Sequence, residues 1–142
     1  MKINRTSLVH WQGGLKDGKG AITTGSGALS DYPYGFSSRF EGVAGSNPEE
    51  LLAAAHAACF TMALTLALTE AGFTPEMLDT KAVVTLESAD VGFFIPAIEL
   101  TVRAKVPNAD DAAFQAIATA AKTNCPLSKV LNAEISLIAT LV

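Results

Sequence analysis

Residues 46–72 read SNPEELLAAAHAACFTMALTLALTEAG, and the fold is organised around this stretch. Asn47 suits an N-cap, Pro48 suits the first helical position, and Glu50 falls where a capping box places its acid. Gly72 offers the left-handed residue that commonly ends a helix. These signals predict a helix to about Ala71, roughly two dozen residues or about 35 Å at the usual rise. From Leu51 to Thr69 there is no formal charge, so the length also fits a membrane span. The segment is nevertheless rich in Ala and contains His56, Thr61, Thr65 and Thr69. Glu49, Glu50 and Glu70 flank it, and no positive residue orients it. The expectation is a helix buried on all sides in a globular core.

Upstream, Ser7 to Trp11 and Ala21 to Thr24 read as strands, with turn signals at Gly13-Gly14 and Asp17-Gly18. Leu29 to Tyr34 contains Asp31 and Pro33 and reads as a loop. Phe36, Ser38 and Phe40 alternate with Ser37, Arg39 and Glu41. That pattern predicts a strand, with Arg39 on the face opposite the two aromatics.

Downstream, Thr80 to Glu87 and Phe93 to Val106 read as paired strands, with a hairpin turn at Asp90 to Gly92. Ile98, Leu100, Val102 and Ala104 share one face. Asp110 to about Asn124 reads as a second helix. Pro126 starts a short third helix through Leu131, with Cys125 as its N-cap. Glu134 to Val142 is a final alternating strand. The order βββ-α-ββ-αα-β is an α+β class.

The 142 residues favour one domain spanning 1–142. Hydrophobic residues make up 49% and charged residues only 17%. Part of so weakly charged a surface is expected to be covered, most simply by a second copy. Net charge is −4, and the ten Lys and Arg are scattered. Nucleic acid and anionic membranes are therefore not expected partners. Met1 to Arg5 holds no apolar signal core, so a cytoplasmic location is expected. Two cysteines in such a chain favour a transient or catalytic bridge over a structural disulfide framework. No CxxC or HxxxH pair supports a metal, and no GxGxxG or P-loop supports a nucleotide.

Cys59 falls mid-helix, where a thiol is commonly a small buried hydrophobe. A reactive Cys59 needs a neighbouring cation, since the helix N-terminus is turns away. Cys125 precedes Pro126 at a helix start, where free N–H groups favour a thiolate; alternatively it is a poor N-cap. Spacing alone does not show that the two cysteines meet. Arg39 is the candidate cation, a permanent charge with a planar fork of donors; alternatively it is a surface partner of Glu41. Glu49 sits favourably near the helix dipole, or orients Arg39 through a two-point pair. His56 lies three residues before Cys59 and shares its helix face. A Cys-His pair can support acyl transfer, whereas a lone His on an apolar helix is more often a hydrogen-bonded core residue.

Several motifs together resemble the OsmC/Ohr family of peroxidases over nearly the whole chain. They are Tyr34-Gly35-Phe36 with Ser38-Arg39-Phe40-Glu41-Gly42, Gly45 to Leu51, Ala54 to Phe60, and Asn124 to Leu131. The resemblance implies an intertwined homodimer with antiparallel sheets around a long buried helix and sites at the subunit interface. It implies that Cys59 attacks a peroxide, that Cys125 resolves the product into a Cys59–Cys125 disulfide, that Arg39 activates the thiol and that Glu49 holds Arg39. Organic hydroperoxides would be the substrates, with Phe60, Met62 and Phe93 or Phe94 lining an apolar pocket. No cofactor is implied; an external dithiol of lipoyl type would reset the enzyme. His56 and the Phe36 to Gly42 segment favour the OsmC branch over the Ohr branch, which takes its arginine from nearer the N-terminus. Arg39 rather than Arg5 is therefore the expected activator. A non-enzymatic module binding apolar ligands on the same fold is the alternative. A Cys59–His56 acyl-transfer enzyme is a third reading.

Overall fold

The computed structural model describes all 142 residues. The chain folds into two compact units, Met1–Leu51 and Leu52–Val142.

In the first unit, β1 (Ser7–Gln12), β2 (Lys19–Thr24) and β3 (Tyr32–Tyr34) form an antiparallel sheet in that order. A side chain at Gly20 would collide with the Tyr34 ring, which packs on Trp11 at 5.4 Å between centroids. β3 replaces part of the expected loop. Asp31 turns the chain at φ +46°, and its N–H donates to Thr23 Oγ1 at 3.0 Å. Pro33 is tolerated because β3 lies at the sheet edge and has no ladder N–H to give there.

The segment after β3 departs from its expected strand. Phe36–Phe40 is a short helix, α1. Ser38 Oγ accepts from the Gly35 N–H at 2.9 Å and donates to the Ser46 carbonyl at 2.8 Å. These local bonds offer the backbone an alternative to a sheet ladder. Phe36 and Phe40 then meet four residues apart, ring centroids 4.9 Å. Arg39 is consequently not opposite the aromatics: its guanidinium sits over the Phe40 ring at 5.2 Å.

The long helix, α2, covers Pro48–Glu70. Asn47 Oδ1 caps the Glu50 N–H at 2.9 Å. Gly72, at φ +86°, ends it, and the Phe73 N–H reaches back to the Leu68 carbonyl at 2.9 Å. The expectation of burial on all sides is not met within one chain. His56, Phe60, Leu64 and Leu68 form a fully buried stripe at four-residue spacing, while Met62 and Leu66 remain 75% and 59% exposed.

In the second unit, β4 (Met77–Ala89) and β5 (Gly92–Lys105) form an antiparallel hairpin. The α3 helix (Asp111–Asn124) and the short α4 (Pro126–Val130) then lead to β6 (Glu134–Leu141), which pairs with β5 in parallel. This sheet is therefore mixed rather than antiparallel. Its parallel pair needs a crossover, which α3 and α4 supply. Ile98, Leu100, Val102 and Ala104 of β5 are all buried. The last three share a core with Phe60, Leu64 and Leu68 of α2 and Phe114, Ala118 and Ala121 of α3. Each large apolar side chain buried there contributes about 1.5–3 kcal/mol.

Candidate active site

Cys59 lies on α2 and Cys125 at the N-cap of α4, and their sulfurs stand 3.2 Å apart. Both thiols are free. Cys125 is fully buried in the core; Cys59 is half-buried beside it. With both protonated, Cys125 donates to Cys59.

Their environments push the two acidities apart. Burial pushes the Cys59 thiol up, and Cys125 adds to this through the hydrogen bond and charge; one Leu127 N–H works the other way. Burial also pushes Cys125 up, but it is outweighed by the Ser128 N–H, the Cys59 thiol, the Ser128 hydroxyl and the Leu127 N–H. Cys125 is held below its usual range as a result. The free N–H groups of the first turn of α4 are the physical cause. Ionisation within this pair therefore favours Cys125, with Cys59 donating to it.

The first unit holds the arginine. Arg39 Nε donates to Glu49 Oε2 at 3.1 Å, and its terminal nitrogen donates to Glu49 Oε1 at 2.6 Å. The short α1 and the first turn of α2 present these groups to each other, ten residues apart in sequence. Arg39 pairs with Glu49, not Glu41. The guanidinium lines a cavity of about 230 Å³ with Trp11, Tyr34, Phe36, Phe40 and Pro48.

His56 does not bond Cys59. Its Nε2 meets Ser128 Oγ at 2.9 Å, and its Nδ1 is buried without a partner. Burial holds its pKa below the usual value. Ser128 is the site residue that the chemistry-bearing types did not reveal. Its signal was positional: three residues after an N-cap, a side chain can reach back to the cap. A second, open cavity of about 660 Å³ begins at Cys59 and runs along Met62, Ala63, Leu66, Ala121 and Pro126. Of the expected pocket residues only Met62 lines it; Phe60 is fully buried in the core, and Phe93 and Phe94 lie at the β4–β5 hairpin. No group of three or more His, Cys, Asp or Glu side chains is placed to hold a metal ion.

The family model of OsmC-like proteins matches residues 41–139. Peroxiredoxin OsmC of Escherichia coli (strain K12) is 53% identical over 137 residues, covering 96% of each chain, and Peroxiredoxin OsmC of Shigella flexneri matches equally. Among solved structures, the organic hydroperoxide resistance protein OhrB of Bacillus subtilis aligns with a TM-score of 0.71 at 29% identity, over 95% of this chain and 98% of that one. An OsmC-like protein from Mycoplasma pneumoniae shares the fold, with a TM-score of 0.78 at 16% identity over 100% of this chain and 99% of that one. A close pair of thiols, one in the middle of α2 and one at the start of α4, and similarity running the length of the chain lead to one conclusion: this chain belongs to the OsmC-like family, the family of the peroxiredoxins named OsmC.

Proposed function

We propose that this chain is a cysteine-based peroxidase that reduces organic hydroperoxides to alcohols. The observation that carries the reading is the 3.2 Å approach of the Cys59 and Cys125 sulfurs. The names of the OsmC and OhrB relatives point the same way.

The Cys59 thiolate attacks one oxygen of ROOH. The O–O bond breaks, RO⁻ leaves and takes up a proton, and Cys59 becomes a sulfenic acid. The Cys125 thiolate then attacks the Cys59 sulfur. The S–O bond breaks, hydroxide leaves as water after protonation, and a disulfide remains. An external dithiol of lipoyl type reduces it, which suits the reducing cytoplasm.

Cys59 needs help to ionise, because its own neighbours favour a thiolate on Cys125. The reading gives that task to Arg39, oriented by Glu49. A guanidinium stabilises both a thiolate and the alkoxide that develops as the peroxide bond breaks. The apolar cavity at Cys59 supports an organic rather than an inorganic peroxide. The exposed Met62 and Leu66 support a homodimer that covers this helix face.

The test is consumption of cumene hydroperoxide with dihydrolipoamide and lipoamide dehydrogenase. Wild type turns over; Cys59→Ser does not. Equal consumption by both would sink the reading. The same cavity also fits a module that only binds apolar ligands; that reading expects full binding by Cys59→Ala and no Cys59–Cys125 disulfide after peroxide.

A further inference from the structure

We propose that His56 and Ser128 are positioning residues for Cys125: the imidazole Nε2–H donates to Ser128 Oγ, and the Ser128 hydroxyl donates to the Cys125 sulfur as it ionises. The inference rests on the peroxidase reading and concerns its second step, the closure of the disulfide.

His56 is a fully buried polar residue on an otherwise apolar stripe of α2. Such a group costs stability unless it is bonded. It makes one bond, from Nε2 to Ser128 Oγ at 2.9 Å, and leaves Nδ1 unpartnered. The tautomer follows from that imbalance. An orphaned buried N–H is rarer in folded proteins than an under-used acceptor. The hydrogen therefore belongs on Nε2, and Nδ1 is the bare nitrogen. With Nε2–H donating to it, the Ser128 hydroxyl is free to donate onward. Cys125 lies three residues back at the start of the same short helix, and its sulfur meets Cys59, one turn after His56 on α2; Ser128 is among the groups that hold the Cys125 thiol below its usual range. The chain of donors runs one way, from imidazole to hydroxyl to sulfur, and ends on an atom that must be negative to attack.

Of the titratable groups on α2, Cys59 faces Cys125 directly and His56 faces Ser128. The core it shares with β5, β6 and α3 is apolar. Lys122 of α3 gives its ammonium to the Ile135 carbonyl at 3.1 Å. The chemical step is the one already written: Cys125 releases a proton, its sulfur displaces hydroxide from the Cys59 sulfenic acid, and the hydroxide takes up a proton as water. His56 and Ser128 change neither atoms nor electrons in it; they raise the fraction of Cys125 that is ready.

Rapid-mixing of the full chain with one equivalent of cumene hydroperoxide, quenched for intact mass, separates sulfenic acid formation at Cys59 from disulfide closure. In Ser128→Ala, a change at a half-exposed site, sulfenic acid forms at the wild-type rate. Disulfide closure at neutral pH slows about tenfold, the size of one hydrogen bond to a charged group, and recovers as pH rises. His56→Ala behaves alike, and His56→Gln, which keeps an N–H donor near the Nε2 position, restores most of the rate. In a Cys59→Ser background, the ultraviolet absorbance of the single thiolate titrates Cys125 without any peroxide. Its midpoint moves up by about one pH unit with Ser128→Ala, the equivalent of tenfold. An unchanged closure rate and midpoint overturn the proposal. So does an equal fall in both rates with no rescue by Gln, which marks a merely structural role. If wild type never oxidises, the peroxidase reading fails, while the Cys125 titration still decides the positioning role.

Discussion

Arg39 and Glu49 meet in a two-point ion pair, at 3.1 and 2.6 Å, with the guanidinium carbon over the Phe40 ring, 5.2 Å from its centre. Two parallel bonds fix the plane of the guanidinium as well as its position. The pair is 33% and 14% exposed, so solvent screens much of its energy. Its worth lies in orientation more than in stability.

Glu49→Gln should therefore separate the two effects. Global stability in urea should fall by no more than about 1 kcal/mol, as for exposed pairs. Peroxide turnover should fall by about tenfold or more, since a mis-aimed guanidinium loses its bonds to developing charge. Arg39→Lys, which cannot reproduce the fork, should lose activity similarly. Steady-state kinetics alongside denaturation curves check both statements. Wild-type kinetics in Glu49→Gln would show that orientation is irrelevant.

Cys125→Ser should stop the cycle halfway. One equivalent of hydroperoxide is consumed, and Cys59 gains one oxygen atom that a dimedone probe captures. No disulfide forms, and further turnover requires an outside thiol. Intact mass before and after the probe reads the result. A variant that cycles at the wild-type rate would remove Cys125 from the pathway.

Stability should depend on pH through His56. Burial holds its folded pKa below the ordinary 6.5. Below 6.5 the unfolded chain takes up a proton that the folded chain refuses. The stabilising effect is thus complete above 6.5 and is lost as pH falls, at up to about 1.4 kcal/mol per pH unit. Urea midpoints at about pH 7.5 and about pH 5.5 should differ less in His56→Gln than in wild type. Parallel pH profiles for the two proteins would contradict this account.

The two sides of α2 should respond differently to substitution. Phe60→Ala removes a fully buried ring and should cost about 3–5 kcal/mol. Met62→Lys changes a side chain that is 75% exposed in the single chain. It should leave the fold intact and shift the proposed dimer towards monomer, because a charge at an apolar contact is costly to desolvate. Sedimentation velocity compares the two variants with wild type. An unaltered assembly state in Met62→Lys would exclude this face as the contact.

Much of the architecture was readable because its signals are local. Asn47, Pro48 and Gly72 bracket α2 by backbone chemistry that needs no distant partner. The alternation of Ile98, Leu100, Val102 and Ala104 marks the buried face of β5 by period alone. Phe36–Phe40 misled for a related reason. Two aromatics at alternate positions fit a strand, but Ser38 binds Gly35 and Ser46 and pulls the segment into a helical turn. That outcome depends on where Ser46 is, which periodicity does not encode.

The sequence by itself determined which residues have reactive chemistry: two thiols, a permanent cation, a carboxylate at a helix start and a lone histidine. It also determined the long helix that carries Cys59, since capping and hydrophobic content act over a few residues. Only the tertiary structure decided that sulfurs 66 residues apart stand within 3.2 Å. It alone turned His56 to Ser128 rather than to Cys59 and laid β6 parallel to β5. The physical reason is that these contacts arise from burying α2 against β5 and α3 in a single core. Such burial is non-directional and leaves no spacing rule in the chain.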